Sequence, residues 1–156
     1  MSERRSGEPS PIALWLGIVR TRPELDRFGR RILGHLGLSL TDFVILESVM
    51  HVGPLTPSRL GDRVGLTRGS ITAAVDRLAA RGLVTRESNT ADARSSLVKL
   101  TPAGTSVIEA AWETHSAEVE RFLDSTITPE EREVLFKLLG RVRRAARKER
   151  RRIETG

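Results

Sequence analysis

The chain has 156 residues, with Lys+Arg 26 against Asp+Glu 20 and a formal net charge of +6, and its cations are almost all arginine. It contains no cysteine, which excludes disulfides, thiolate catalysis and cysteine-based redox sensing. The scattered histidines His35, His51 and His115 form no compact metal signature, no stretch approaches the ~20 apolar residues of a membrane helix, and neither metal nor cofactor is expected.

Residues 1 to 11 combine charge, glycine and two prolines and are expected to be a disordered tail. A helical region follows from about Ile12 to Leu36, with Leu14, Trp15, Ile18, Leu25, Phe28, Ile32 and Leu36 as its apolar positions. Pro23 lies inside it and predicts a kink or two helices end to end. Thr41 is expected to cap a further helix beginning near residue 42, whose buried side is Phe43, Val44, Leu46, Val49 and Met50. Thr56-Pro57, Thr101-Pro102 and Thr128-Pro129 predict three more helix starts, because threonine caps orphan amides and proline at the first position has no donor to lose. Glu131 completes a capping box with Thr128.

Pro57 to Val64 reads as a short helix, Gly65-Leu66 as a turn, and Thr67 to Arg81 as a second compact helix ending at Gly82. Ile71, Val75 and Leu78 fall on one narrow face of that helix, with Ala74 on the same side. The opposite arc carries Arg68, Gly69, Thr72, Ala73, Asp76 and Arg77, with Ser70 on a flank, and is small and polar. Two strand-like runs, Leu83 to Arg86 and Leu97 to Leu100, enclose a polar turn. Helix, turn, helix and hairpin in this order predict a mainly α fold with a small β-hairpin wing, a winged helix-turn-helix. The helices after Pro102 and Pro129 carry apolar stripes larger than a three-helix core requires, so a second copy of the chain is the leading partner, with folding back onto the first helix as the alternative. The chain closes on Arg141, Arg143, Arg144, Arg147, Lys148, Arg150, Arg151 and Arg152, more cations than a helix macrodipole needs. They read as a solvated tail or as added affinity for nucleic-acid backbone.

The sequence resembles the multiple antibiotic resistance regulator (MarR) family of winged-helix transcription factors. The likeness rests on Leu40-Thr41-Asp42-Phe43, Leu60, Leu66-Thr67, Ile71-Thr72, Val75-Asp76-Arg77-Leu78 and Gly82-Leu83-Val84. Its most specific part is Asp92-Ala93-Arg94 followed by Leu100-Thr101-Pro102-Ala103-Gly104. The resemblance implies a homodimer that binds a pseudo-palindromic operator in double-stranded DNA, in most members as a repressor of a nearby gene. It implies a DNA-binding domain over 39–101, an N-terminal dimerisation and ligand-crevice region over 12–38, dimerisation helices over 102–148 and a basic tail over 149–156. Thr67 to Arg81 becomes the recognition helix, and Arg94 enters or borders the minor groove with Asp92 steering its guanidinium. Arg59, Arg63, Arg68, Arg77 and Arg86 complete the positive surface, and base reading falls to Arg68, Ser70 and Thr72. Arg77 alternatively braces the fold, and Arg86 is alternatively a strand-surface residue.

Many members release DNA on binding a small aromatic or phenolic ligand. The matching crevice would be lined by Trp15, Phe28, Phe43, Val44 and Trp112, which read equally as ordinary core. The chain departs from the family in carrying Ala73 where arginine or lysine is frequent, a single arginine at the wing tip, Pro23 in the first helix, and neither cysteine nor tyrosine. Catalysis is not expected, because phosphate-binding glycine loop, nucleophile elbow and histidine-carboxylate motif are all missing. A non-enzymatic module for coating DNA without sequence preference or for protein interaction is the alternative function.

Overall fold

A computed structural model of the chain describes residues 8 to 154, apart from 91 and 93. Most of the tail expected at 1 to 11, and the last two residues of the basic tail, lie outside the described residues. Six helices and one hairpin follow in order: α1 Pro11–Leu33, α2 Leu40–Val52, α3 Pro57–Val64, α4 Arg68–Ala80, β1 Val84–Ser88, β2 Ser96–Leu100, α5 Pro102–Asp124 and α6 Pro129–Glu154. A 3-10 turn, Gly34–Leu36, links α1 to α2. The chain divides into two compact units, 1–115 and 116–156. Among the described residues no single helix is long and apolar enough to cross a membrane.

Most helix starts are written as expected. Thr56 caps α3, Thr67 caps α4, and Thr128 and Glu131 close a reciprocal capping box at α6. The expectation that Thr41 caps α2 is incorrect. Ser39 is the cap: its hydroxyl accepts the Asp42 N–H at 3.1 Å while the Asp42 carboxylate accepts the Ser39 N–H at 3.2 Å. Reciprocity decides the matter, because Ser39 has an acid three residues on and so satisfies two orphan donors at once. α1 runs unbroken through Pro23, so the two-helix alternative does not hold. α6 continues as helix past residue 148 to Glu154.

The first unit is built on one apolar core. Leu46 of α2, Leu60 of α3, and Ile71, Ala74, Val75 and Leu78 of α4 are all buried, as the α4 periodicity predicts. Leu33, Leu83, Val84, Val98 and Ile108 close it from α1, the hairpin and α5. Gly65, at φ +77°, turns α3 into α4 in a left-handed conformation that costs glycine little. The strands pair antiparallel with Val84 opposite Leu100 and Ser88 opposite Ser96, slightly longer than the sequence runs suggest. Leu55 adds a third short rung: its N–H donates to the Val98 carbonyl at 3.2 Å and its carbonyl accepts the Val98 N–H at 2.8 Å.

Thr101 stitches the hairpin to α5. Its hydroxyl donates to the Gly82 carbonyl at 2.7 Å and accepts the Gly104 N–H at 2.9 Å, and its own N–H donates to the Leu83 carbonyl at 3.1 Å. This seam brings α5 so close to the end of α4 that a Cβ on Gly104 would lie 1.9 Å from the Leu83 carbonyl oxygen. Backbone cannot yield there as a flexible side chain would. Gly104→Ala should therefore destabilise the protein by about 2–3 kcal/mol or more, lowering the melting temperature by roughly 5–10 °C in a thermal unfolding scan.

Candidate nucleic-acid interface

α4 is held in place from behind by an acid on α2. Asp42 is 3% exposed, and its carboxylate accepts a hydrogen bond from Arg77 at 2.6 Å, with Arg81 at 4.0 Å. The carboxylate that caps α2 is thus also the anchor for the C-terminal half of α4. Arg77 follows the bracing alternative, although its side chain remains 50% exposed. Arg81 was not singled out by sequence reasoning. Its spacing of four residues from Arg77, one helical turn, was the available signal.

The outward arc of α4 is exposed at Arg68, Gly69, Thr72, Ala73, Asp76 and Arg77. Its hydroxyls, however, are already engaged. The Ser70 and Thr67 hydroxyls lie 2.9 Å apart, and the Thr72 hydroxyl donates to the Arg68 carbonyl at 2.9 Å. Arg86 of β1 reaches back to Asp76 at 2.7 Å and to the Ser96 hydroxyl at 3.4 Å. That pair neutralises the one acid on the arc and ties the wing to α4. Arg59 and Arg63 of α3, Arg68 of α4 and Arg94 of the wing are exposed and have no carboxylate partner among the described residues.

Hydrogen bonds link the described residues of the wing between the strands. Asn89 N–H donates to the Ser95 carbonyl at 3.2 Å, and the Asn89 side-chain amide donates to the Ser95 hydroxyl at 2.8 Å. Ser95 N–H donates to the Asp92 carbonyl at 3.0 Å. The Asp92 carboxylate accepts the Arg94 backbone N–H at 3.0 Å.

The apolar residues proposed for a crevice separate into groups. Phe43 and Trp112 stack with centroids 6.2 Å apart and planes 5° apart. Two histidines join them: His115 lies 4.4 Å from Phe43, and His51 meets Trp112 edge-on at 4.7 Å. Phe43 is buried in the main core and Val44 packs against it, as the plain alternative has it. Trp15 is exposed at 56% on the N-terminal half of α1, and Phe28 is half-buried. The histidines were missed because they lie 64 residues apart in sequence (115 minus 51) and share a site only through the packing of α5 on α2. Among the described residues no group of His, Cys, Asp and Glu could hold a metal ion.

A model of the MarR family matches residues 36–95. The HTH-type transcriptional regulator MhqR of Bacillus subtilis is 32% identical over 117 residues, covering 75% of this chain and 79% of the relative. A mutant MarR from E. coli, solved in complex with operator DNA, superposes with a TM-score of 0.76 at 29% identity and covers 84% of this chain and 94% of that one. The organohalide-sensing regulator RdhR in its 2,4-dichlorophenol-bound form gives a TM-score of 0.72 at 26% identity, covering 92% and 89%.

Two outcomes separate the roles of these residues. Arg77→Ala should cost about 1–3 kcal/mol in chemical unfolding, because it removes a charged hydrogen bond from a buried carboxylate. Arg94→Ala should stay within about 0.5 kcal/mol of the parent and weaken DNA binding alone. Burial also holds the His115 imidazole below its usual pKa of 6.5. Below that value the unfolded chain takes up a proton that the folded chain refuses, so stability present at neutral pH falls as pH drops from 6.5 through the folded pKa. His115→Phe should flatten that part of a stability-against-pH curve.

Proposed function

The chain belongs to the MarR family of winged helix-turn-helix transcriptional regulators, and on that premise we propose that it works as a homodimer repressing a nearby gene from a pseudo-palindromic operator. The observation that carries the reading is the exposed α4 face, set between the free cations of α3 and the single raised arginine of the wing. α4 would lie in the major groove, Arg94 would reach the adjoining minor groove, and Arg59 and Arg63 would meet phosphates. Ser70, Thr72, Arg77, Arg86 and Asp92 would act around these contacts, the last three mainly by holding α4 and the wing in register.

Dimerisation is supported by apolar surface on both units. Ile12, Leu14, Trp15, Leu16 and Val19 of α1 are exposed. So are Val134, Leu135, Leu138, Leu139 and Val142 of α6. A soluble monomer rarely leaves so many large apolar side chains in water, whereas a two-fold partner covers them by symmetry. Two heads about 34 Å apart would then meet successive major grooves on one side of the duplex.

Release by a small aromatic ligand is supported by the Phe43–Trp112 stack and by the phenol held by RdhR. With no tyrosine in the chain, His51 and His115 would supply polar contacts at that stack. An effector must favour the geometry that cannot bind DNA; equal affinity for both would shift nothing.

Selection of bound sequences from a random duplex pool, followed by footprinting and sedimentation, tests the proposal. The expected result is a short symmetric motif bound by a dimer. Contacts to about 6–10 phosphates should make affinity fall roughly 10³- to 10⁵-fold between 50 and 200 mM salt. A monomer at micromolar concentration with no sequence preference would overturn it.

A further inference from the structure

We infer that this chain reads its operator mainly through thymine methyl groups, with Thr72 and Ala73 as the specificity-determining residues. The inference rests on the DNA-binding reading above and deepens it. A recognition helix reads bases with the side chains on the arc opposite its buried face. On α4 the buried face is Ile71, Ala74, Val75 and Leu78, so the centre of the opposite arc falls on Gly69, Ala73, Asp76 and Ala80, with Thr72 on one flank and Arg77 on the other, all exposed.

Apart from Arg77, which is committed to Asp42, none of these offers a free side-chain hydrogen-bond donor. Gly69 presents backbone alone, and a Cβ built there meets nothing within 4 Å. The Thr72 proton is donated to the Arg68 carbonyl, so its side chain presents a methyl and an oxygen that can only accept. Ala73 and Ala80 carry only methyls. Asp76 is held by Arg86 at 2.7 Å. Ser70, on the flank, shares its hydroxyl with Thr67. Arg68 is the one long side chain beside the first turn with its guanidinium unpaired among the described residues.

An arc of methyls and bare backbone lets the helix approach the groove floor closely. The thymine C5-methyl is the apolar feature of the major-groove edge, and alanine and the threonine methyl are suited to pack against it. Arg68 would add a guanine or phosphate contact at the margin. Specificity would then come from where thymines stand in each half-site, not from bidentate hydrogen bonding at its centre.

Uracil substitution tests this directly, since deoxyuridine keeps the base pair and lacks the methyl. The duplex selected by the full chain is compared with the same duplex carrying uracil for every thymine in the footprint, at one salt concentration. Each lost methyl contact should weaken binding about fourfold, so one contact per half-site predicts about a 16-fold loss. Random duplexes with and without uracil should bind alike. The Thr72→Ser, Ala73→Gly double variant keeps the hydroxyl and removes both methyls. It should bind the thymine duplex more weakly and lose little more on the uracil duplex. Equal affinity of the parent chain for thymine and uracil duplexes would overturn the inference while leaving the regulator reading intact. So would a uracil penalty of unchanged size in a folded double variant. If the variant does not fold, the parent comparison decides alone. A chain that selects no sequence would overturn the regulator reading, and this inference with it.

Discussion

The orientation of α4 depends on one buried carboxylate. Asp42 closes the capping box that starts α2 and binds Arg77 in the second half of α4. A helix start and a helix-to-helix angle are therefore set by the same two oxygens. Hydrophobic packing of Ile71, Val75 and Leu78 presses α4 onto the core, but apolar contact is non-directional and tolerates sliding and rotation. A charge-assisted hydrogen bond at 2.6 Å does not. The base reading proposed for α4 requires its side chains at fixed heights above the bases, and this clamp would supply that precision.

A second ionic tie performs the matching task for the wing. Arg86 spans from β1 to Asp76 on the exposed arc of α4. The pair is accessible to water, and its net worth to folding is small. Its effect on the candidate interface is larger: without Arg86 the Asp76 carboxylate would stand unpaired on the exposed arc. α4 and the wing thus share one electrostatic arrangement, in which Asp76 is paired and Arg59, Arg63, Arg68 and Arg94 have no carboxylate partner among the described residues.

Much of this architecture is legible in the sequence because local rules and the core agree. Thr56-Pro57, Thr67 and Thr128-x-x-Glu131 announce helices that form where they say. The α4 stripe predicts its buried side residue for residue. The errors arise where chemistry is non-local or two local signals compete. Thr41 resembled a cap, yet Ser39 lies at the right distance from Asp42 to reciprocate. Arg77 lies on the flank of an outward arc, and only the fold reveals an acid 35 residues earlier within its reach. His51 and His115 look scattered until α2 and α5 bring them onto the same aromatic pair. Glycine at 104 is an unremarked part of a family motif until the Leu83 carbonyl is found where its side chain would stand.

The uninterrupted course of α6 to Glu154 changes what its terminal arginines amount to. A loose tail would average its cations into one diffuse cloud. On a rod rising about 1.5 Å per residue, the run from Arg141 to Arg152 extends for about 17 Å. That is roughly twice the distance over which physiological salt damps a charge, about 8 Å. Arg141 and Arg152 therefore lie too far apart along the rod to act as one charge, and Arg152 at the far end is already paired with Glu149.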